Sequence, residues 1–271
     1  MRKNFAQILR AEKVDIKLEY EKLYSMFYDQ NPKDGKSIAD IISINFLSIP
    51  FRGTCLSLDE FNIIHEINFD RQPQKLEIED LVDFCEYFYN FAQYINDRFY
   101  FNYFNKTMCL AHILQLIDKI GYIMATESNI TIFVPKDNVA IAVSEMNIFP
   151  PNTSYKIISY SHHSMKGDID RKRQTLLFLS NLLEPKRDEL ETIDKQFTKD
   201  LFYAFNTFDI RHNNVDKCGT KYKKVIGDLT EEEKEIWYDE TYRMCLLAFM
   251  KLEQEARKEK FKQFKQRIEN A

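Results

Sequence analysis

Glycine and proline are scarce, at six and seven residues in 271, which points to a helix-rich, loop-poor protein. Cysteine is sparse too. Cys55, Cys85, Cys109, Cys218 and Cys245 are odd in number and never form a C-x-x-C pair. That favours reduced thiols in a cytoplasm over a disulfide framework or a zinc site. No uninterrupted apolar run approaches the roughly 20 residues of a membrane helix. Met1-Arg2-Lys3-Asn4-Phe5 leads into a charged segment rather than a signal peptide. An excess of positive charge is missing as well: a formal net charge of −4 excludes a globally basic nucleic-acid binder, though not a local basic patch. A P-loop, a dinucleotide glycine fingerprint, a serine-hydrolase elbow and an H-E-x-x-H zinc helix are all absent. The expectation is a cytoplasmic protein with no cofactor, no metal and no membrane partner.

What is present is apolar and aromatic. Hydrophobic residues make up 44% of the chain, with 22 Phe and 15 Tyr, enough for a substantial core. The length suits one large or two small domains. Residues 1–30 read as one or two amphipathic helices, with Asn31-Pro32-Lys33-Asp34-Gly35 as a turn. The apolar run 38–48 reads as a buried helix, although its branched residues also allow a strand. Two strong helices are expected from Glu79 to Asp97 and from Lys106 to Ile120, the second ending at Gly121. Residues 122–134 break the helical spacing and predict a small β-hairpin. Pro150-Pro151-Asn152-Thr153 is the best linker, so a helical N-terminal domain is expected over 1–150 and a bundle of long helices over 155–271. In that second half a helix starts at Ile169 and is kinked or ended by Pro185. Another spans 198–210, and a last one runs from about Glu231, capped by Thr230 and Glu233, through Met250 into a charged tail. The fold class is mainly α.

The chemistry concentrates where the aromatic helix around Leu201, Phe202, Phe205 and Phe208 runs into Arg211-His212-Asn213-Asn214. A guanidinium, an imidazole and two carboxamides at the end of an apolar helix must be solvated, bonded to one another or held for a substrate. An anion suits them best, because arginine offers a planar fork of donors to phosphate. The structural alternative is a polar C-cap in which Asn213 or Asn214 takes the left-handed position and Arg211 pairs with a nearby carboxylate. A second basic group could extend a phosphate- or RNA-binding face: His162, His163, Lys166, Lys172 and Arg173, with Lys186 and Arg187 further on. Asp168, Asp170, Glu184 and Asp188 are placed to neutralise it, and a solvated polar turn is the simpler reading of His162-His163.

With an arginine and a polar residue at the end of the penultimate long helix, a loop, and then a long final helix, the C-terminal 110 or so residues resemble HEPN domains. These occur in abortive-infection, toxin and CRISPR-associated ribonucleases. Arg211 matches the family's arginine and His212 the following polar position, while the histidine expected five to seven residues after Arg211 is replaced by Asp216, Lys217 and Cys218. The resemblance implies a metal-independent RNA-cleaving or RNA-binding effector in antiviral defence or a toxin system, with Arg211 holding phosphate and a homodimer or defence partner. With the later histidine absent, three alternatives stand: His212 substitutes as base, His162 or His163 arrives from elsewhere in the bundle, or the fold is a non-catalytic relic that binds RNA or a partner. In the other reading the chain is a non-catalytic helical sensor or scaffold whose Arg-His-Asn-Asn cluster is structural.

Overall fold

The computed structural model describes residues 13–30, 32, 35–95, 106–146, 149–150 and 153–270. The chain is mainly helical, with one two-stranded hairpin mid-chain and a long last helix. It divides into two compact units, Met1–Lys136 and Asp137–Ala271.

In the first unit, α1 (Ile16–Tyr28) begins at Asp15, whose carboxylate accepts from the Leu18 N–H, and buries Tyr20, Leu23 and Phe27. The 38–48 run is α2 (Ile38–Asn45), opened by a Ser37–Asp40 capping box, followed by a single 3₁₀ turn, Phe46–Ser48. A short α3 (Leu58–Ile64) follows. The organising element is α4 (Ile78–Gln93), which buries Leu81, Val82, Phe84, Cys85, Phe88 and Phe91. Phe27 of α1 packs edge-on against Phe84 and Phe88, with ring centroids 5.9 and 4.8 Å apart. Residues 96–97, the expected end of that helix, lie outside the described residues. α5 (Lys106–Lys119) stops at Gly121, whose φ of +82° is the left-handed conformation that favours glycine.

The hairpin pairs β1 (Tyr122–Glu127) with β2 (Ile130–Pro135) in the register Tyr122↔Pro135 to Glu127↔Ile130. Ser128 and Asn129 both take positive φ, which gives the two-residue turn a twist matching its strands. Asn90 of α4 docks this ribbon. Its carboxamide donates to the Thr131 carbonyl at 2.7 Å and accepts from the Thr131 N–H at 2.8 Å, while Glu86 accepts from the Phe133 N–H. A helix side chain thereby occupies hydrogen-bonding positions that a third strand would otherwise take.

In the second unit, α6 (Asn138–Ser144) is capped by Asp137, and Ala140, Val143 and Met146 belong to this unit's core. The division between units therefore falls at 136/137, ahead of the expected 150–155 boundary. Pro151 and Asn152 lie outside the described residues. α7 (Thr153–Ser159) leads to α8 (Ile169–Leu183). A 3₁₀ turn at Glu184–Lys186, containing Pro185, separates α8 from α9 (Arg187–Ile193). α10 (Lys195–Thr207) runs antiparallel to α12 (Glu231–Glu269): Asp194 at its start meets Lys251, and Phe208 just past its end meets Trp237. Between them lies a polar loop with the one-turn α11 (Lys224–Gly227). Leu176, Leu179, Leu183, Leu201, Phe202, Phe205, Tyr238, Cys245 and Phe249 form the shared core. The charged tail is no separate element; α12 continues through it to Glu269. Residues 251–269 hold no glycine or proline, and the pairs Glu253–Arg257 and Glu255–Lys258 support the helix.

Candidate functional site

The helix carrying the Arg-His-Asn-Asn stretch ends at Thr207, and the chain reverses at Asp209, which takes the left-handed position with a φ of +59°. Asn213 and Asn214 do not take that role. Asp209 suits it, because a short polar side chain tolerates positive φ and bonds locally. Its carboxylate accepts from the Asn214 N–H at 3.0 Å, and its own N–H donates to the Asn214 carboxamide at 3.3 Å.

The reversal turns Arg211 back onto α8. Nε donates to Ser180 Oγ at 3.0 Å, Nη2 donates to the Ser180 carbonyl at 2.7 Å, and Nη1 pairs with the Glu184 carboxylate. The guanidinium also lies over the rings of Phe202 and Phe205, 5.4 and 5.1 Å from their centroids. Only 15% of the side chain is exposed, and each of its three nitrogens is engaged.

The other three residues of the stretch point elsewhere. His212 Nε2 lies 2.9 Å from Lys221 Nζ, a pairing that makes the imidazole the acceptor of a charged ammonium. Asn213 accepts from the Asp216 N–H in a local turn. Asn214 is buried and forms the node of the loop: its amide donates to the Lys221 carbonyl at 2.9 Å and its carbonyl accepts from the Lys223 N–H at 2.8 Å. His212, Asn214, Lys221 and Lys223 line an open groove of about 590 Å³, whose lining does not include Arg211. The four neighbours in sequence thus serve three different places.

The second predicted group disperses as well. His162 caps a 3₁₀ turn (His163–Met165) by accepting from the Ser164 N–H, and its ring lies tilted against that of His163. Lys172 is buried, with Nζ 2.7 Å from Glu235 and 2.6 Å from Asp239. Asp239 also accepts from the Tyr160 hydroxyl at 3.0 Å, and Tyr160 stacks flat on Tyr242 with centroids 3.9 Å apart. Burial, helped by the Asp239 charge, pushes the Tyr160 phenol well above its ordinary range, and the bond from Lys172 holds the Glu235 carboxyl below its own. Arg173 Nε donates to the Asp209 carbonyl and pairs with its carboxylate. Lys166 and Arg173 line a separate cavity of about 580 Å³ together with Asp168, Asp170, Asp209 and Glu231, so its walls carry both signs of charge. Lys186 pairs with Glu189, and Arg187 pairs with Glu191 while lying over Phe202.

Sequence reasoning overlooked a cavity of about 630 Å³ in the first unit, lined by Phe61, Phe69, Tyr87, Asp80, Asp83 and Glu86 among others. Acids at positions 80, 83 and 86 share one face of α4, and that three-residue spacing was the available signal. Among the described residues, no group of three His, Cys, Asp or Glu side chains is placed to hold a metal ion, and no helix is long and apolar enough to cross a membrane. All five cysteines are free thiols, with Cys218 exposed and the other four buried.

No family model, curated protein or solved structure matches this chain.

Proposed function

We propose that this chain is a non-catalytic helical sensor or scaffold whose Arg211–Asn214 cluster is structural. One observation carries the reading. The Arg211 fork, the donor set best suited to a phosphate, is spent on the end of α8 through Ser180 and Glu184. A phosphate clamp presents its charge to solvent when empty, whereas this guanidinium is packed between two phenylalanine rings and a helix terminus.

A second reading rests on a different observation: His212, Lys221 and Lys223 line an open groove. A HEPN-like effector of antiviral defence or a toxin system would use such a groove to bind or cut RNA, with His212 as base and a homodimer bringing two grooves together. The two readings separate in one experiment. Purified protein is incubated with tRNA and single-stranded RNA in EDTA, as wild type, Arg211→Ala and His212→Ala. The structural reading expects no cleavage by any of them and a lowered melting temperature for Arg211→Ala alone. Metal-independent cleavage that disappears in a fully folded His212→Ala protein would replace it with the RNA-cleaving reading.

A further inference from the structure

The last four turns of α12 have a use that the bundle does not explain. Leu252 is the final core residue of this helix, and every residue from 254 to 270 is exposed. Within that stretch Phe261, Phe264 and Ile268 recur at spacings of three and four, with 59%, 55% and 61% of their surface in water. At about 100° per residue, this stripe is centred roughly 120° round the helix from the line of Tyr238, Cys245, Phe249 and Leu252. Phe264 alone falls in line with a buried residue, Leu246, so the stripe overlaps the bundle-packing face only at its edge.

The charges are ordered around the stripe. Lys258 and Lys265 lie on one flank and Lys260 and Arg267 on the other, each roughly 70–90° from its centre. Lys265 Nζ sits 5.0 Å from the Phe261 ring. Glu259, Gln263 and Gln266 occupy the far side together with Lys262, and Arg257, paired with Glu253, heads the stripe itself. Residues 256–270 hold six cations against two carboxylates, a net charge of +4 in a chain whose net charge is −4. An apolar stripe with cations on both flanks, and a single lysine among the neutral and acidic residues behind, is the arrangement of a helix lying in a membrane interface, its flanking lysines reaching the headgroups.

We propose that residues 256–270 bind the surface of an anionic lipid bilayer, with Phe261, Phe264 and Ile268 inserted between headgroups. Charge selects this occupant. A second copy pairing along the same stripe would set cations against cations on both flanks, where coiled-coil partners need opposite charges. Nucleic acid would use the cations but gains little from an isoleucine and two phenylalanines set between them. A helix lying in the interface plane needs no membrane-spanning length.

The test uses the full chain and sedimentation with vesicles of phosphatidylcholine alone or with about 30% phosphatidylserine. Wild type should partition at least about tenfold better onto the anionic vesicles, and less well as salt rises. The pair Phe261→Gln and Phe264→Gln keeps helix-forming residues at exposed positions, so it should melt like wild type yet lose partition at every salt concentration. The triple variant Lys258→Gln, Lys260→Gln and Lys265→Gln should lose on the order of 100-fold on anionic vesicles. Equal partition onto both vesicles, or none, overturns the proposal. So does single-stranded RNA binding that the lysine variant abolishes and the phenylalanine variant keeps. Self-association that the phenylalanine variant abolishes, without vesicle binding, would assign the stripe to a second copy instead.

Discussion

Arg211 shows how one side chain can be read in two ways until its partners are known. Ser180 is fully buried; its carbonyl accepts from the Glu184 N–H that closes α8, and the Arg211 fork adds a second, charged donor there. Arg211→Ala should cost about 2 kcal/mol in urea denaturation, and Arg211→Lys should recover less than half, because an ammonium cannot span Oγ, carbonyl and carboxylate at once. Lys172 makes a pH-dependent case. The Glu235 carboxyl is held below its ordinary value of 4.5, so its contribution to stability is complete above that pH and is lost as pH falls through the lower folded value. Lys172→Met removes the cause while keeping the apolar stem. The variant should be less stable near neutral pH and should lose less on acidification than wild type does, as melting curves between about pH 7 and pH 3 would show. A wild-type curve as flat as the variant's would contradict this account. The sequence allowed an arginine–carboxylate pair for Arg211, but the identity of these partners was not legible in it. Glu184 was visible only as a carboxylate able to neutralise a basic face, and nothing local ties Lys172 to residues 63 and 67 positions away.

Elements were far more legible, because their causes are local. Three- and four-residue apolar spacing marked α4, α5, α8, α10 and α12, Gly121 marked a helix end, and the broken spacing at 122–134 marked the hairpin. Thr230 and Glu233 form the capping box their spacing suggested. The long helix was read short because its apolar periodicity fades past Leu252, where propensity and ion pairs carry it on. The docking of the hairpin was invisible, since an asparagine inside an aromatic helix carries no label of the strand it will meet. Asn90→Leu leaves both the Thr131 N–H and its carbonyl without that partner in a buried place, at a cost of about 2 kcal/mol or more. Urea titration of the variant measures it, and an unchanged midpoint would show that the ribbon is held by its apolar side chains alone.

For the whole molecule, the division at 136/137 has a practical reading. A fragment of residues 137–271 retains Ala140, Val143 and Met146 in its core, whereas one starting at 155 exposes the surface they cover. The longer fragment should be the more stable by about 3 kcal/mol or more, chiefly from the buried valine and methionine. Equal melting temperatures for the two would place α6 outside the cooperative unit. The Pro-Pro stretch drew the boundary too late because composition marks a linker without saying which core the preceding helix joins.

α12 is one helix by its hydrogen bonds and should behave as two in hydrogen exchange. At 39 residues it is roughly 58 Å long. The amides between Tyr238 and Leu252 lie in the core-packed portion and can exchange with deuterium only when the second unit opens, while those beyond 256 need no more than fraying from the end. Deuterium uptake along this single helix should therefore change by a thousandfold or more, roughly, within two or three turns. The position of that step locates where tertiary support stops. Any surface that captures the exposed turns will announce itself by moving the step towards Glu269.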